Sequence, residues 1–412
     1  MPQPPSAASR DEPVIRDGGD ACPGALRLHA ADDGFLARVR IPGGLLGPAQ
    51  AAALADAADR YGDGHLELTS RGNVQLRGLA DGCGAGLAEL LDAAGLLPAP
   101  SHERVRNIVA SPLGDPAPVR ALDRLLCADP EATALSGRFL FAVDDGRGDV
   151  AALDPDVTLL GQPGGRALVR LGAAADAVEV AAADGPGAAL EAARHFLAAA
   201  AAAGTRAWRV AELPAEHALD TGEFIARLTG RGIAARYVPD APRPYADPPA
   251  PGPHGDALCV LIPLGRLATA QWRELPGELR VTPWRSVVVA DLGAAAGLGR
   301  AGLVTSPGSA WEAVTACTGR PGCAKALADV RADARAVVER ARGPLPVHWS
   351  GCERRCGHPR GTDWVDAVAT ATGYRLTAPG RPVPRHVSAP DLGAALLDAR
   401  NTPRISEDAV KK

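Results

Sequence analysis

The stretch Val39-Arg-Ile-Pro-Gly-Gly-Leu-Leu-Gly-Pro-Ala-Gln50 returns later in the chain as Val260-Leu-Ile-Pro-Leu-Gly-Arg-Leu-Ala-Thr-Ala-Gln271. Seven of the twelve positions are identical. After a deletion of eight residues the similarity resumes, with Leu66-Glu-Leu-Thr69 matching Leu279-Arg-Val-Thr282. Because an internal repeat marks a duplicated structural unit, the chain is predicted to have two halves that open with similar α+β units.

Each unit is predicted to fold as strand, helix and extended chain. In the first copy, 35–41 alternates like a strand, 49–61 has helical spacing, and 65–79 is rich in β-forming residues. Between the halves, the proline-rich segment 239–254 is predicted to be a stiff connector with neither helix nor sheet. The predicted divisions are a first half-domain at 20–90, an α/β domain at 91–238, a linker at 239–256, a second half-domain at 257–303 and a cysteine-bearing domain at 304–400.

Outside the repeats, segments with strand and helix patterns alternate. Strands are predicted at 138–143, 167–170, 177–181 and 345–349, and helices at 190–203, 221–230, 324–342 and 392–400.

Charge and composition narrow the function classes. The chain has 412 residues and a net charge of −4, so it lacks the basic excess typical of nucleic-acid or membrane-surface binding. Nearly all the positive charge is arginine, which holds carboxylates in a bidentate fork. No apolar run reaches the roughly 18 residues of a membrane span, and the N-terminus lacks a signal-peptide core. We therefore expect a cytoplasmic protein without nucleic-acid or membrane partners, and its eight cysteines are expected to stay reduced.

Four cysteines form a group late in the chain. Five residues separate Cys317 from Cys323, 28 more lead to Cys352, and Cys356 follows after another three. Four thiolates match the four irons of a [4Fe–4S] cluster. The alternative is a structural zinc site, but zinc favours gaps of about two to four residues between paired cysteines. The first pair precedes the helix predicted at 324–342, whose dipole would stabilise the negative charge of the cluster.

This cysteine spacing and the duplicated unit together resemble the sirohaem-type nitrite and sulfite reductase superfamily. Thr69-Ser-Arg-Gly-Asn-Val-Gln-Leu-Arg-Gly78 is similar to its T-x-R-x-x-x-Q-x-R segment, and Arg104-Val-Arg-Asn-Ile-Val-Ala-Ser-Pro112 to a second arginine segment. The resemblance implies an α+β fold of two pseudo-repeated halves. Each half would be a ferredoxin-like half-domain followed by a larger α/β domain of the nitrite/sulfite reductase type.

Within this superfamily, the chain resembles the precorrin-3B synthase family of aerobic cobalamin synthesis. The resemblance rests on Asp20-Ala-Cys-Pro-Gly24, Arg38-Val-Arg-Ile-Pro-Gly-Gly44, Phe139-Leu-Phe-Ala-Val-Asp-Asp145 and Gly351-Cys-Glu-Arg-Arg-Cys-Gly-His-Pro359. It implies a monooxygenase that hydroxylates precorrin-3A at C20 with O2 and forms a γ-lactone. The implied cofactors are a [4Fe–4S] cluster and a separate mononuclear non-haem iron. An external donor, a ferredoxin or an NAD(P)H-dependent reductase, would supply electrons.

The resemblance also implies the site residues. The cluster ligands would be Cys317, Cys323, Cys352 and Cys356, and the substrate contacts would be Arg71, Asn73, Gln75, Arg77, Arg106, Asn107 and Arg138. No catalytic residue is named. Arg138 departs from the family, where a lysine often stands at this position. In the second repeat Trp284 replaces Arg71, so one functional site is expected. His348 and His358 could contact the cluster, ligate the iron, or be structural.

Two other function classes remain open. A sirohaem-dependent nitrite or sulfite reductase would use the same cysteines to couple its cluster to a haem. An electron carrier or cluster scaffold would not need two large flanking domains. The segment Gly297-Leu-Gly-Arg-Ala-Gly302 fits a dinucleotide-binding pattern, but no helix is predicted to open at its last glycine, and a glycine-rich turn is expected instead.

Overall fold

The repeated unit folds around strands, as the alternation predicts. The structure is a computed structural model that describes residues 20, 22–359, 363–381 and 383–401. The first half-domain contains β1 (His29–Ala31), β2 (Gly34–Val39), β3 (Leu45–Leu46), α1 (Pro48–Tyr61), β4 (His65–Leu68), β5 (Val74–Leu79) and α2 (Gly84–Ala93). Alternate residues of β2 and β5 face the core, which leaves the opposite face of this sheet for polar side chains.

The second region is an α/β layer with one large sheet. It contains β6 (Ile108–Ala110), α3 (Ala117–Ala128), β7 (Phe141–Asp144), β8 (Val157–Gln162), β9 (Arg166–Leu171), β10 (Ala177–Ala181), α4 (Gly185–Ala202), α5 (Thr221–Gly230) and β11 (Arg236–Val238). The six strands run in the order β11-β10-β9-β8-β7-β6. The alanine-rich α4 is buried because its small side chains allow close packing on this sheet.

The second half-domain repeats the first in shortened form. It contains β12 (Gly252–His254), β13 (Ala257–Leu261), β14 (Arg266–Ala268), α6 (Thr269–Arg273), β15 (Leu279–Val281), β16 (Ser286–Val289) and α7 (Ala295–Arg300). The deletion seen in the sequence falls on the helix, because α1 has 14 residues and α6 has five.

The two half-domains exchange one strand each. β14 of the second copy pairs with β4 of the first, and β3 of the first pairs with β15 of the second, in sheets ordered β1-β2-β5-β4-β14 and β12-β13-β16-β15-β3. Trp272 of α6 is buried and donates a 2.8 Å hydrogen bond to the Ala51 carbonyl of α1. One hydrophobic core spans both copies. The domain boundaries predicted from the sequence remain our proposal for dividing this chain, in which the two half-domains are interleaved.

The last region carries the grouped cysteines. It contains β17 (Val314–Ala316), α8 (Val330–Val337), β18 (Val347–Ser350), β19 (Val365–Thr370), β20 (Gly373–Thr377), β21 (Arg385–Val387) and α9 (Leu392–Arg400). The sheet order is β17-β18-β19-β20-β21, and β17, β18 and β19 are parallel neighbours. The mixed α+β class is confirmed, with four sheets in the part of the chain described.

Three local predictions were wrong. The linker was expected to contain no sheet, but β12 forms at its end, where Pro253 is tolerated because β12 is an edge strand. The helix predicted at 324–342 begins only at Val330, because Asp329 caps it and accepts a hydrogen bond from the Ala332 amide. The glycine-rich turn is instead the helix α7, which ends before Gly302 at a φ of 84°.

Candidate cluster site

Two neighbouring strands deliver the cysteines. Cys317 directly follows β17, and Cys352 comes two residues after the end of the parallel strand β18. Because the carboxyl ends of adjacent parallel strands meet at one sheet edge, both cysteine pairs lie together there. The Cys317 amide donates a 2.9 Å hydrogen bond to the Trp349 carbonyl, and the Gly351 amide donates to Cys317 Sγ at 3.1 Å. The first thiol therefore has a backbone donor, as a thiolate ligand requires.

The four sulfurs are close enough to interact, but they do not converge on one point. Burial raises the pKa of the Cys317 thiol, and Cys356 and Cys352 raise it further, against hydrogen bonds from the Gly351 and Gly319 backbone that lower it. Burial likewise raises the pKa of Cys356, with added effects of Cys352 and Cys323. No three of these described thiols lie within 4.8 Å of one another. Four sulfurs on one zinc would be ~3.8 Å apart.

Unpaired polar atoms line the same edge. His348 and Ser350 are fully buried on one face of β18. His348 Nδ1 lies 2.8 Å from Thr315 Oγ1, and its buried Nε2 has no hydrogen-bond partner within the geometric limits among the described residues. The Cys356 backbone lies near this imidazole. Ser350 Oγ is also without a partner among the described residues. Buried polar groups are nearly always satisfied, so these atoms fit a bound group that accepts hydrogen bonds. The residues present therefore fit a [4Fe–4S] cluster.

The first half-domain holds the loop of Cys323 in place. Arg77 forms a two-pronged ion pair with Asp33, at 2.9 and 2.8 Å, and donates to the Gly322 carbonyl at 2.9 Å. The Ala324 amide donates to Asp32 Oδ2 at 2.6 Å. The structure thus places Arg77 beside the cysteine loop, with its Nε and Nη2 already engaged.

A row of polar residues crosses the first half-domain sheet toward the cysteines. Arg38, Gln75, Glu67 and Arg266 are successive cross-strand partners on β2, β5, β4 and β14. Arg38 donates to Gln75 Oε1 at 3.0 Å, and Gln75 Nε2 lies 3.3 Å from Glu67 Oε2. Gln75, predicted as a substrate contact, is therefore the link between an arginine and a buried carboxylate.

Glu67 connects this row to the cysteine domain. Its Oε1 accepts a 2.5 Å hydrogen bond from Arg331, whose Nε donates to the Cys317 carbonyl at 3.2 Å. Burial alone would raise the pKa of Glu67, but Arg331 and the other guanidinium groups outweigh burial and lower it. The carboxylate is thus held ionised between two domains.

A second group of arginines surrounds the N-terminal segment at Cys22. Burial lowers the pKa of Arg40 to about 9, with Arg38 repelling it, and lowers that of Arg71 to about 10, with Arg209 repelling it. Arg71 donates to the Arg138 carbonyl at 3.0 Å, and the Arg138 guanidinium lies 5.5 Å from the centre of the Trp208 ring. Several desolvated guanidinium groups at one place form an environment suited to a ligand with several carboxylates.

The other residues that were predicted to contact the substrate form hydrogen bonds within the protein. Arg106 is paired with Asp123 through two 2.7 Å hydrogen bonds and donates to the Leu96 carbonyl. Asn73 accepts from the Ile41 amide at 2.9 Å and donates to Asn107 at 3.2 Å. The structure therefore brings Arg71 and Arg138 together, and engages the side chains of Arg106, Asn73 and Asn107 in internal hydrogen bonds.

Sequence reasoning missed Arg38, Arg40, Glu67 and Arg285 as site residues. Arg38 and Arg40 lie two apart at the end of a strand whose intervening Val39 is buried, so the alternation could have revealed a charged face. Glu67 lies between Leu66 and Leu68, which are both core residues, and carries the same signal. Nothing in the sequence alone indicates the place of Arg285.

One cavity has none of the four grouped cysteines in its wall. It has a volume of about 560 Å³ and is bounded by β3, β15 and α3. Its wall carries four arginines and three carboxylates, namely Arg40, Arg106, Arg120, Arg280, Asp123, Asp256 and Glu278, and Arg106 is already paired with Asp123. Because basic and acidic side chains are mixed along this wall, it favours no charged ligand class. We therefore place the functional site at the cysteines and the arginine group, of which Arg40 also reaches this cavity.

A mononuclear iron does not fit the described residues. Asp144, Asp145 and Asp149 are the single group of three potential ligands within 4.8 Å among them, and it contains no histidine. Asp144 already accepts four backbone hydrogen bonds, and Asp145 is paired with Arg147. The facial two-histidine, one-carboxylate arrangement typical of non-haem iron is therefore absent from the residues described here.

Comparisons with known proteins agree with this architecture. The sequence profile of the nitrite/sulfite reductase ferredoxin-like half domain matches residues 28–94. A precorrin-3B synthase of Sinorhizobium sp. is 29% identical over 394 residues, covering 87% of this chain and 83% of the relative. A ferredoxin–nitrite reductase of Synechococcus elongatus is 38% identical over 128 residues, covering 27% of this chain and 25% of its own.

The fold has a solved counterpart. The structure of the Mycobacterium tuberculosis NirA protein superimposes with a TM-score of 0.63 at 20% identity, covering 87% of this chain and 79% of that one. In the part of the chain that the structure describes, every helix is too short or too polar to cross a bilayer.

Proposed function

Because the chain belongs to the nitrite and sulfite reductase superfamily, we propose that it is an oxidoreductase that performs the precorrin-3B synthase reaction. In this reaction precorrin-3A would be hydroxylated at C20 by O2, with closure of a γ-lactone. The observation that carries the proposal is the similarity to a precorrin-3B synthase along 87% of the chain. The geometry supports it, because the cysteine set fits a cluster, and Glu67 and Arg331 join the cysteine domain to the sheet that carries Arg38.

Different residues of the chain would have different roles in this reaction. Cys317, Cys323, Cys352 and Cys356 would hold a [4Fe–4S] cluster, which supplies electrons one at a time. Arg71, Arg138 and Arg38 would bind the acetate and propionate groups and so orient the macrocycle. Arg40, which is buried and donates to the Arg104 and Gly137 carbonyls, would add positive charge behind them. Inserting one oxygen atom of O2 and reducing the other to water takes two electrons and two protons, so an external reductase must supply the electrons.

The second candidate is a sirohaem-dependent nitrite or sulfite reductase. It is favoured by the stretch of 128 residues shared with a ferredoxin–nitrite reductase. The coverage of that relative is only 25%, whereas the precorrin-3B synthase is covered over 83% of its length. The longer match favours the oxygenase.

The absorption spectrum of protein purified without oxygen separates the two. The proposal predicts the broad absorbance of an iron–sulfur cluster without sirohaem bands, and conversion of precorrin-3A when air is admitted. Stoichiometric sirohaem would contradict it. Cys352→Ser should abolish both cluster absorbance and conversion, whereas Cys259→Ser, at a buried cysteine of the second half-domain, should retain them.

A further inference from the structure

The second half-domain carries an arginine in an unfavourable backbone conformation. In both copies a tight turn is closed by the same bonds: the Thr69 amide donates to the Asn73 carbonyl, and the Thr282 amide donates to the Ser286 carbonyl, each at 2.9 Å. The first turn has Gly72 at a φ of 65°, a conformation that glycine adopts without steric cost. The second has Arg285 at a φ of 60°, which L-residues with side chains rarely adopt.

The surroundings of Arg285 direct its side chain toward the cysteines. Its stem packs over Gly265, where an added Cβ would come within 2.6 Å of Arg285 Cδ. Its guanidinium lies at Gly357, where an added Cβ would be 3.6 Å from Arg285 Nη2 and 3.9 Å from His348 Cε1. Gly357 directly follows Cys356. The glycines at both ends thus leave room for an extended arginine that ends beside the last cysteine.

The guanidinium has no acceptor of its own within the described chain. Burial dominates its environment, with Arg331 repelling it and Glu67 attracting it. Glu67 is already bonded to Arg331, and none of the Arg285 nitrogens makes a hydrogen bond to a described residue. A partly buried charge without a protein acceptor is unfavourable. The chain therefore combines an unfavourable backbone conformation with a half-buried, unpaired guanidinium at this one residue.

The groups around the Arg285 guanidinium favour a negatively charged hydrogen-bond acceptor. Arg285 lies beside the imidazole of His348, since both approach Gly357, and His348 Nε2 is unpaired among the described residues. A metal cation would be repelled by the guanidinium at this point. A cluster with four thiolates carries net negative charge and gains another on reduction, so it matches a fixed cation and polar hydrogens.

We propose that Arg285 is a positioning residue for the cluster, which faces its Cys356 corner and stabilises its reduced form. The inference rests on the ligation proposed above but not on the identity of the substrate. The turn of the second half-domain thus serves the redox group, while the matching turn of the first half-domain presents Arg71 to the arginine group.

Redox titration of the anaerobically purified full-length protein, followed by the electron paramagnetic resonance of the reduced cluster, tests this. Arg285→Gln should shift the midpoint potential to a more negative value at unchanged iron content, and Arg285→Lys should shift it less. The matched control is Arg354→Gln. It removes a charge that also acts on Cys356 but is exposed, so solvent and salt screen it and the shift should be smaller.

The outcomes are distinct. A wild-type potential in Arg285→Gln at full iron content would overturn the inference, and so would an unchanged potential with weakened substrate binding, which would make Arg285 a substrate contact. Should Arg285→Gln fail to assemble, Arg285→Asn removes the same charge with a residue that tolerates positive φ. A wild-type protein without any cluster would instead contradict the proposed function.

Discussion

The two half-domains share their framework but not their polar face. Both have the same turn bonds, and in both a glutamine caps the helix, with Gln50 accepting from the Gly47 amide at 3.0 Å and Gln271 from the Ala268 amide at 2.9 Å. The polar residues of the first sheet, by contrast, are replaced in the second. Arg38, Gln75 and Arg77 correspond in the repeat to Cys259, Val288 and Ala290.

The difference separates what the fold needs from what the site needs. Core alternation, the turns and the caps recur because either copy would lose its structure without them. The row of polar residues on the first sheet has no counterpart in the second sheet, because one cluster and one ligand need only one polar face. At the position of Glu67 the second copy has Arg280, which donates to the Pro112 and Gly114 carbonyls instead. Charge can therefore change sign on a conserved framework.

The largest loss of stability is expected at the ion pair between Arg77 and Asp33 in the first half-domain. Arg77→Ala leaves Asp33 without its partner and releases the Gly322 carbonyl. Removing one partner of a buried pair costs on the order of 3 kcal/mol. Urea denaturation of the cluster-free protein should show this loss of unfolding free energy. Arg273→Ala, which breaks exposed ion pairs with Asp56 and Asp59, should cost far less, because solvent screens these charges. Equal losses would mean that the Asp33 pair is not a structural link.

Much of this architecture could be predicted because it is local or repeated. The repeat predicted the paired half-domains, and helices 221–230 and 392–400 appear with the bounds expected. The exchange of β3 and β14 could not be predicted, since strands of two and three residues carry no periodic signal and their partners lie about 200 residues away or more. For the same reason the sequence shows that Arg77 and Arg106 belong to recognisable segments, but not that carboxylates of the chain itself already bind them.

A smaller effect, dependent on pH, is expected at Glu67. Its pKa is lowered in the folded protein, so its contribution to stability is present above the unfolded pKa of about 4.3 and is lost as the pH falls through the folded value. Glu67→Gln should therefore cost about 2 kcal/mol near pH 7 and progressively less below about pH 4. Denaturation curves across this pH range give the difference. The exposed Glu278→Gln is the control and should leave stability unchanged at each pH. A difference independent of pH would show that the charge of Glu67 is not what joins the domains.

The smallest changes in stability are expected at the two matching turns. Substitutions there should change the free energy of unfolding in opposite directions in the two copies. Gly72→Ala places a side chain at a φ of 65° and within 3.1 Å of the Val281 carbonyl, so it should destabilise the cluster-free protein by about 1–2 kcal/mol. Arg285→Asn relieves a strained arginine and a desolvated charge, and Asn tolerates this conformation, so it should stabilise the cluster-free protein by about 0.5–1 kcal/mol. Thermal unfolding of the cluster-free variants measures both. If Arg285→Asn also destabilises, the stem packing over Gly265 outweighs the strain, and the arginine would serve the fold of the second turn as well as the cluster.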